Sequence, residues 1–136
     1  MKYLLEQQKM SKRIKIKIPR ANIELEAELY ETPTGTAVWG ALPITSNVNT
    51  WGEEIYFSIP LELPLEPEAR ATVEIGEIGY WDVGRSMCIF WGRTPASKDD
   101  KPVAASPVNI FGKVITDVKV LDAVQDGDEI IVEKLE

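Results

Sequence analysis

The stretch EIGYWDVGRSMCIFWGRTP, Glu77 to Pro95, gathers many of the side chains in this 136-residue chain that could do chemistry. It holds Tyr80, Trp81, Phe90 and Trp91, the lone cysteine Cys88, and the arginines Arg85 and Arg93. Guanidinium donors beside an aromatic wall suit a carboxylate or a peptide carbonyl. Trp81 falls at a strand end, Arg85 in the Gly-containing turn after it, and Arg93 where the next strand leaves at Gly92. These three read as the mouth of a pocket, with Tyr56, Phe57 and Phe111 completing its wall. Arg85 and Arg93 are then the candidates for a catalytic role. The plainer reading is solvent-exposed arginines stacking on tryptophan, worth roughly 0.5–1 kcal/mol.

Other chemistries find little support. The chain has no histidine, so Ser-His-Asp and Cys-His mechanisms are excluded. One cysteine and carboxylates make a poor zinc site, and no metal or other cofactor is expected. Cys88 has no visible basic activator and reads as a buried, inert thiol. Glu53 and Glu54 are adjacent on a strand, so they point to opposite faces and make a poor acid/base couple. They read as a solvated turn. QDGDE resembles half a calcium loop but lacks the spacing and terminal Glu, and reads as a tight turn. A net charge of −7 argues against nucleic acid as a partner. No apolar run reaches transmembrane length, and MKYLLEQQKMSKR lacks the h-region and cleavage site of a signal peptide. These features, with the single cysteine, point to a cytoplasmic protein without membrane contact.

The elements that must position these residues are mostly strands. In RIKIKIPRANIELEAELY, apolar residues alternate with cations before PRAN and with glutamates after it, which predicts a β-hairpin. With Ile18 opposite Ile23, Lys17 faces Glu24, Lys15 faces Glu26 and Arg13 faces Glu28. Each such pair is worth roughly 0.2–1 kcal/mol, so the basic cluster serves the hairpin. TPTGTAVWGALP predicts a short helix capped by Thr34 and ended by Pro43. NTWGEEIYFSIP, ATVEIGEIGYW, SMCIFWG, VNIFGKVI and EIIVEKL predict strands. LELPLEPEA is irregular or edge-like, TPASKDDKPVAASP is a surface loop, and TDVKVLDAV is a turn of helix. Residues 1–13 read as an N-terminal extension and 14–136 as a single mainly β domain.

Three segments resemble cyclophilins. AELYETPTGTAVWGAL resembles their opening, where a strand leads through Xaa-Pro into a helix. NIFGKVITDVKVLDAV resembles their late Val-Phe-Gly-Lys-Val strand and turn. GEIGYWDVGRSMCIFW lies on the middle. GYW…G, CIFWG.TP and SPVNIFG are similar to a small prokaryotic branch of cyclophilin-like proteins. The resemblance spans Ile14 to Leu135 and implies a closed eight-stranded β-barrel with one or two short capping helices. It also implies proline-containing peptides as partners and cis/trans isomerisation of Xaa-Pro bonds, whose uncatalysed barrier is about 18–20 kcal/mol. That chemistry needs an apolar pocket and an arginine on the amide, not a nucleophile. The family's arginine falls on Ser58 of IYFSI, and no arginine occurs between Arg20 and Arg70. Its proline-pocket phenylalanine falls near Ile89, its Gln-Gly-Gly stretch is not recognisable, and its pocket tryptophan and histidine have no counterpart beside NIFG.

The expectation is a cyclophilin-like domain that binds a peptide or small ligand at an aromatic/arginine face. Tyr56, Tyr80, Trp81, Arg85, Ile89, Trp91, Arg93 and Phe111 are its candidate residues, with weak or absent isomerase activity. A true isomerase with a relocated arginine, a binder of a small anionic metabolite, and a homo-oligomer with an apolar interface are the alternatives.

Overall fold

The computed structural model of the chain describes residues 12–135. Its first hairpin follows directly from the period-two pattern. β1 (Arg13–Ile18) and β2 (Ile23–Leu29) pair antiparallel with Ile18 opposite Ile23, Lys17 opposite Glu24, Lys15 opposite Glu26 and Arg13 opposite Glu28. Asn22 closes the turn at φ 56°, a left-handed conformation that asparagine tolerates. The apolar members of both strands are buried. The ion pairs run slantwise: Lys15 Nζ reaches Glu24 at 3.4 Å, and Lys17 Nζ reaches Glu133 of the last strand at 2.9 Å. Long stems let lysines choose diagonal partners over those directly opposite.

The remaining elements are α1 (Pro33–Ala41), β3 (Ile44–Asn47), β4 (Asn49–Thr50), β5 (Glu54–Ser58), β6 (Arg70–Thr72), β7 (Glu77–Trp81), β8 (Ser86–Phe90), β9 (Val103–Val114) and β10 (Glu129–Leu135). All the strand pairings are antiparallel, in the order β3-β10-β1-β2-β9-β7-β8-β5-β4, with β6 paired to β9. The chain is thus mainly β, but the described residues form ten strands where eight were expected. No strand pairing closes the sheet among the described residues. Its two ends, β3 and β4, are one continuous segment bent at Val48. The Val48 N–H donates to the Asp128 carbonyl at 2.9 Å, and its carbonyl accepts from Gly127 N–H at 2.8 Å. The turn before β10 therefore holds the bend.

The extra strands have local causes. The apolar run from Ala71 to Trp81 breaks at Gly76, where φ is 92°, and separates β6 from β7. The strand expected to begin after Pro107 begins at Val103 instead. Pro107 is accommodated because the β6–β9 register slips between Arg70 and Thr72, the irregular pairing that a residue without an N–H tolerates.

β9 serves two layers. Its C-terminal half pairs with β7 and β2 and lines the main core, which takes side chains such as Ile16, Leu25, Phe57, Tyr80, Ile89, Phe111 and Val132. Its N-terminal half pairs with β6. That ribbon lies on the outer face of β7 and β8, where Val73, Ala104 and Val108 pack on Cys88 and Phe90. Gly79 makes room for it: a Cβ there would stand 2.8 Å from Val108 Cγ2.

Thr32, not Thr34, caps α1. Its Oγ1 accepts from Gly35 N at 2.9 Å and Pro33 takes the first helical position. The segment Val118–Ala123 forms a 3₁₀ turn, so α1 is the one α-helix among the described residues. No described helix is long and apolar enough to cross a membrane.

An irregular strap, residues 59–69, crosses from β5 to β6 with Leu61 and Leu63 packed on the main core. Side chains of the sheet hold its backbone. Tyr80 Oη donates to Leu61 O at 2.9 Å and accepts from Leu63 N at 3.2 Å. Asn109 Nδ2 donates to Pro64 O and Thr34 Oγ1, both at 3.0 Å, and its Oδ1 accepts from Glu66 N at 2.8 Å. Both Thr34 N and Thr34 Oγ1 donate to the Glu66 carboxylate. Buried polar groups left without partners cost about 1–3 kcal/mol each. Asn109→Ala is expected to lower stability by about 2–4 kcal/mol in urea denaturation and to speed amide exchange at Glu66, whose N–H it holds. Unchanged exchange in the strap would show that Asn109 does not hold it.

Candidate functional site

The sequence-predicted site residues do not converge. Tyr80, Ile89, Phe111 and Trp91 are buried in the main core. The indole Nε1 of Trp91 donates to Asp122 at 2.7 Å. Tyr56 and Trp81 stand together on the opposite face, ring centroids 5.8 Å apart in an edge-to-face pair, both half-buried. Trp81 Nε1 donates to Ser106 Oγ at 2.7 Å, and its ring lies over Gly84, where a Cβ would meet it at 2.6 Å. Arg85 and Arg93 lie at opposite ends of β8. Arg85, at φ 47°, reaches Glu62 at 3.4 Å beside a hollow of about 260 Å³ lined by Ile59, Pro60 and Leu61. Arg93 donates to the Asp99 carbonyl at 2.6 Å in the loop after β8. Strand alternation separates the aromatic residues, as their spacing predicts, and the length of β8 separates the arginines, which the grouping into one pocket mouth had not weighed.

A different group of side chains does meet. Between the end of β2, the start of α1 and β6 lies a cleft of about 250 Å³. Tyr30, Thr32, Glu66, Glu68, Arg70, Asn109 and Ile110 line it with Ala69. Arg70 is set by a fork: Nη1 and Nη2 each donate to one oxygen of the buried Glu77 at 2.9 Å, and Nη1 also donates to Thr72 O at 3.0 Å. Of about five N–H donors on a guanidinium, the Nε–H and one Nη2–H remain uncommitted. The Glu77 hydrogen bonds hold the Arg70 guanidinium further above its ordinary range. Burial, then the charges of Glu77 and Glu28, push the Tyr30 phenol above its ordinary value, with Arg70 opposing. Tyr30 therefore stays protonated at neutral pH and can both donate and accept. Ile110 lines this cleft and packs on the second core, against which Tyr56 and Trp81 also pack. Sequence reading missed the cleft because its members come from three separate stretches of the chain.

A family model described as cyclophilin-like matches residues 12–133. The chain belongs to the cyclophilin-like family. Among solved structures, the solution structure of a hypothetical protein from Archaeoglobus fulgidus is 38% identical, with a TM-score of 0.75 over 91% of this chain and 95% of that one. No curated protein matches. In this cyclophilin-like chain, Ser58 is exposed at the end of β5, and Ile89 points into the main core. Ile89, where the resemblance puts the proline-gripping side chain, is therefore turned away from solvent.

Glu54 also departs from its expected place. It sits on the outer face of β5, opposite Phe90, and is only 5% exposed. Its Oε1 has no hydrogen-bond partner. Glu53, on the other side of the strand, accepts from the Arg93 N–H at 3.1 Å. The alternation that separates the two acids was legible; the layer that covers one of them was not. Burial raises the Glu54 carboxyl to about 7, with a hydrogen bond from the Cys88 thiol pulling slightly down. Burial pushes the Cys88 thiol well above its ordinary range, followed by the charge of Glu54, so it is inert as expected.

A carboxyl raised in the folded state holds its proton more tightly there than in the unfolded chain. Its contribution to stability is intact below about pH 4.5, is lost as pH rises to about 7, and is constant beyond. The loss amounts to about 3 kcal/mol. Glu54→Gln is expected to remove that fall, so that denaturation midpoints of the variant and the parent diverge between pH 4.5 and 7. Parallel profiles would show that Glu54 reaches water in the folded protein.

Proposed function

We propose that this cyclophilin-like chain is a binding module with weak or absent isomerase activity, and that it takes its ligand in the Tyr30–Arg70 cleft. The observation that carries this reading is an Arg70 guanidinium fixed by Glu77, with two N–H donors uncommitted, on a residue that lines a cleft with Glu66 and Glu68. A carboxylate or peptide carbonyl suits the guanidinium edge. An ammonium group suits the two glutamates, and Ile110 offers an apolar floor. The ligand class is therefore a small zwitterion or the charged end of a peptide. The Tyr56–Trp81 pair extends the surface for a longer peptide, which keeps two of the expected aromatic residues in the site.

A second reading has one observation in its favour. Arg85 lies at the same end of β5 as Ser58, since Ser58 pairs with Ser86 and the Arg85 carbonyl accepts from Ile59 N at 3.1 Å. A guanidinium beside the apolar hollow of Ile59, Pro60 and Leu61 is the arrangement that a relocated isomerase arginine requires.

Amide shifts recorded while titrating glycylglycine, acetate and Xaa-Pro peptides separate the two. The cleft reading expects shifts at Tyr30, Thr32, Ala69 and Arg70 with glycylglycine, and a roughly tenfold weaker Kd in Arg70→Lys, equivalent to about 1.4 kcal/mol. Catalysed cis/trans exchange of Xaa-Pro peptides that Arg85→Ala abolishes would establish the second reading instead. No shifts with any probe would overturn both.

A further inference from the structure

Glu54 is a buried ionisable group that neither the cleft nor the main core uses. It projects from β5 to the same side as Phe90, Cys88 and Tyr56. That side carries the second core, which is covered by a second layer made of β6, Val73 just after it and the N-terminal half of β9. The groups around it leave an ionised carboxylate without compensation. From β8 comes Cys88, a thiol. Glu53, its chain neighbour, is turned to the Arg93 amide, and the Arg93 guanidinium is spent on the Asp99 carbonyl. From the residue after β6 and from β9 come Val73, Ala104 and Val108, all apolar. One carboxylate oxygen has no partner at all.

We propose that Glu54 is a proton-operated latch for the second layer: neutral, it lies under the closed layer; ionised, it drives the layer off the sheet to reach water. The physical reason is the cost of burying an unpaired carboxylate, several kcal/mol without a partner. Opening the layer is the smallest movement that relieves it. The layer has its own small core; its side-chain ties to the sheet are Trp81 to Ser106, the Arg70–Glu77 fork and the Glu74 amide on Glu77, and β9 hinges it where the strand passes into its pairing with β7. The main core stays closed throughout, as local openings do. Because β6 carries Arg70, the opening also withdraws the guanidinium from the cleft.

Cys88 reports the opening, since it is buried under the same layer and is the chain's sole cysteine. Its labelling by dithiodipyridine is measured against pH and divided by the rate for the same protein unfolded in urea. The ratio is expected to rise about tenfold per pH unit between about pH 4.5 and 7 and to level off above. In Glu54→Gln, and in Glu54→Leu as an independent check, it stays flat across that window. Low urea leaves the parent's labelling nearly unchanged if only the layer opens. The same pH profile in the parent and both variants would overturn the latch. So would parent labelling that climbs with urea as steeply as global unfolding, because Glu54 would then act on the whole fold.

Discussion

The strands β7 and β8, with the Glu54 end of β5, are buried on both faces, and much of the molecule follows from that. Their inner face carries Ile78, Tyr80, Met87, Ile89, Ile55 and Phe57 into the main core. Their outer face would be wet in an ordinary one-sided antiparallel sheet. Here the chain folds back over it. β9 runs past the sheet for half its length and pairs with β6, and the resulting ribbon seals Cys88 and Phe90. Doubly buried strands need small or apolar residues on both sides. Gly79 gives Val108 its seat, and Gly84 gives the Trp81 ring its own. Glu54 is the exception, an acid on a face that became interior.

The strap is the second constraint. Residues 59–69 carry three prolines, at 60, 64 and 67, and form no strand, so their backbone needs partners from elsewhere. Tyr80 and Asn109 supply them from inside the sheet. Glu66 then closes on Thr34 in the first turn of α1, where a helix N-terminus favours a carboxylate. This places Glu66 and Glu68 across from Arg70 and so makes the cleft. One polar network thus fixes both the cover of the core and the shape of the candidate site.

Membership of the cyclophilin-like family settles less about activity than about architecture. Ser58 and Ile89 stand at the positions that the resemblance assigns to the family's arginine and proline-pocket phenylalanine. One is a small exposed hydroxyl and the other faces inward. The polar groups that do converge lie between α1 and β6, away from both positions.

The sequence by itself determined everything that depends on the alternation of neighbouring residues. The first hairpin, its register and the two faces of β7 and β8 follow from side chains pointing to opposite sides of a strand, the turn at Gly127 from its turn residues, and the inert thiol from the lack of a basic neighbour. The same rule separated Glu53 from Glu54. The alternating runs also gave the mainly β architecture, and family likeness added the expectation of a closed eight-stranded barrel. Tertiary structure decided the rest, because it depended on which segments meet. Whether an outward face is wet depends on a ribbon dozens of residues away, so Glu54 read as a turn acid and is instead buried. Whether two arginines share a pocket depends on the length of the strand between them, so Arg85 and Arg93 read as neighbours and stand apart. The cleft itself joins Tyr30, Glu66, Arg70 and Asn109, residues that no local period connects and only the folded chain brings together.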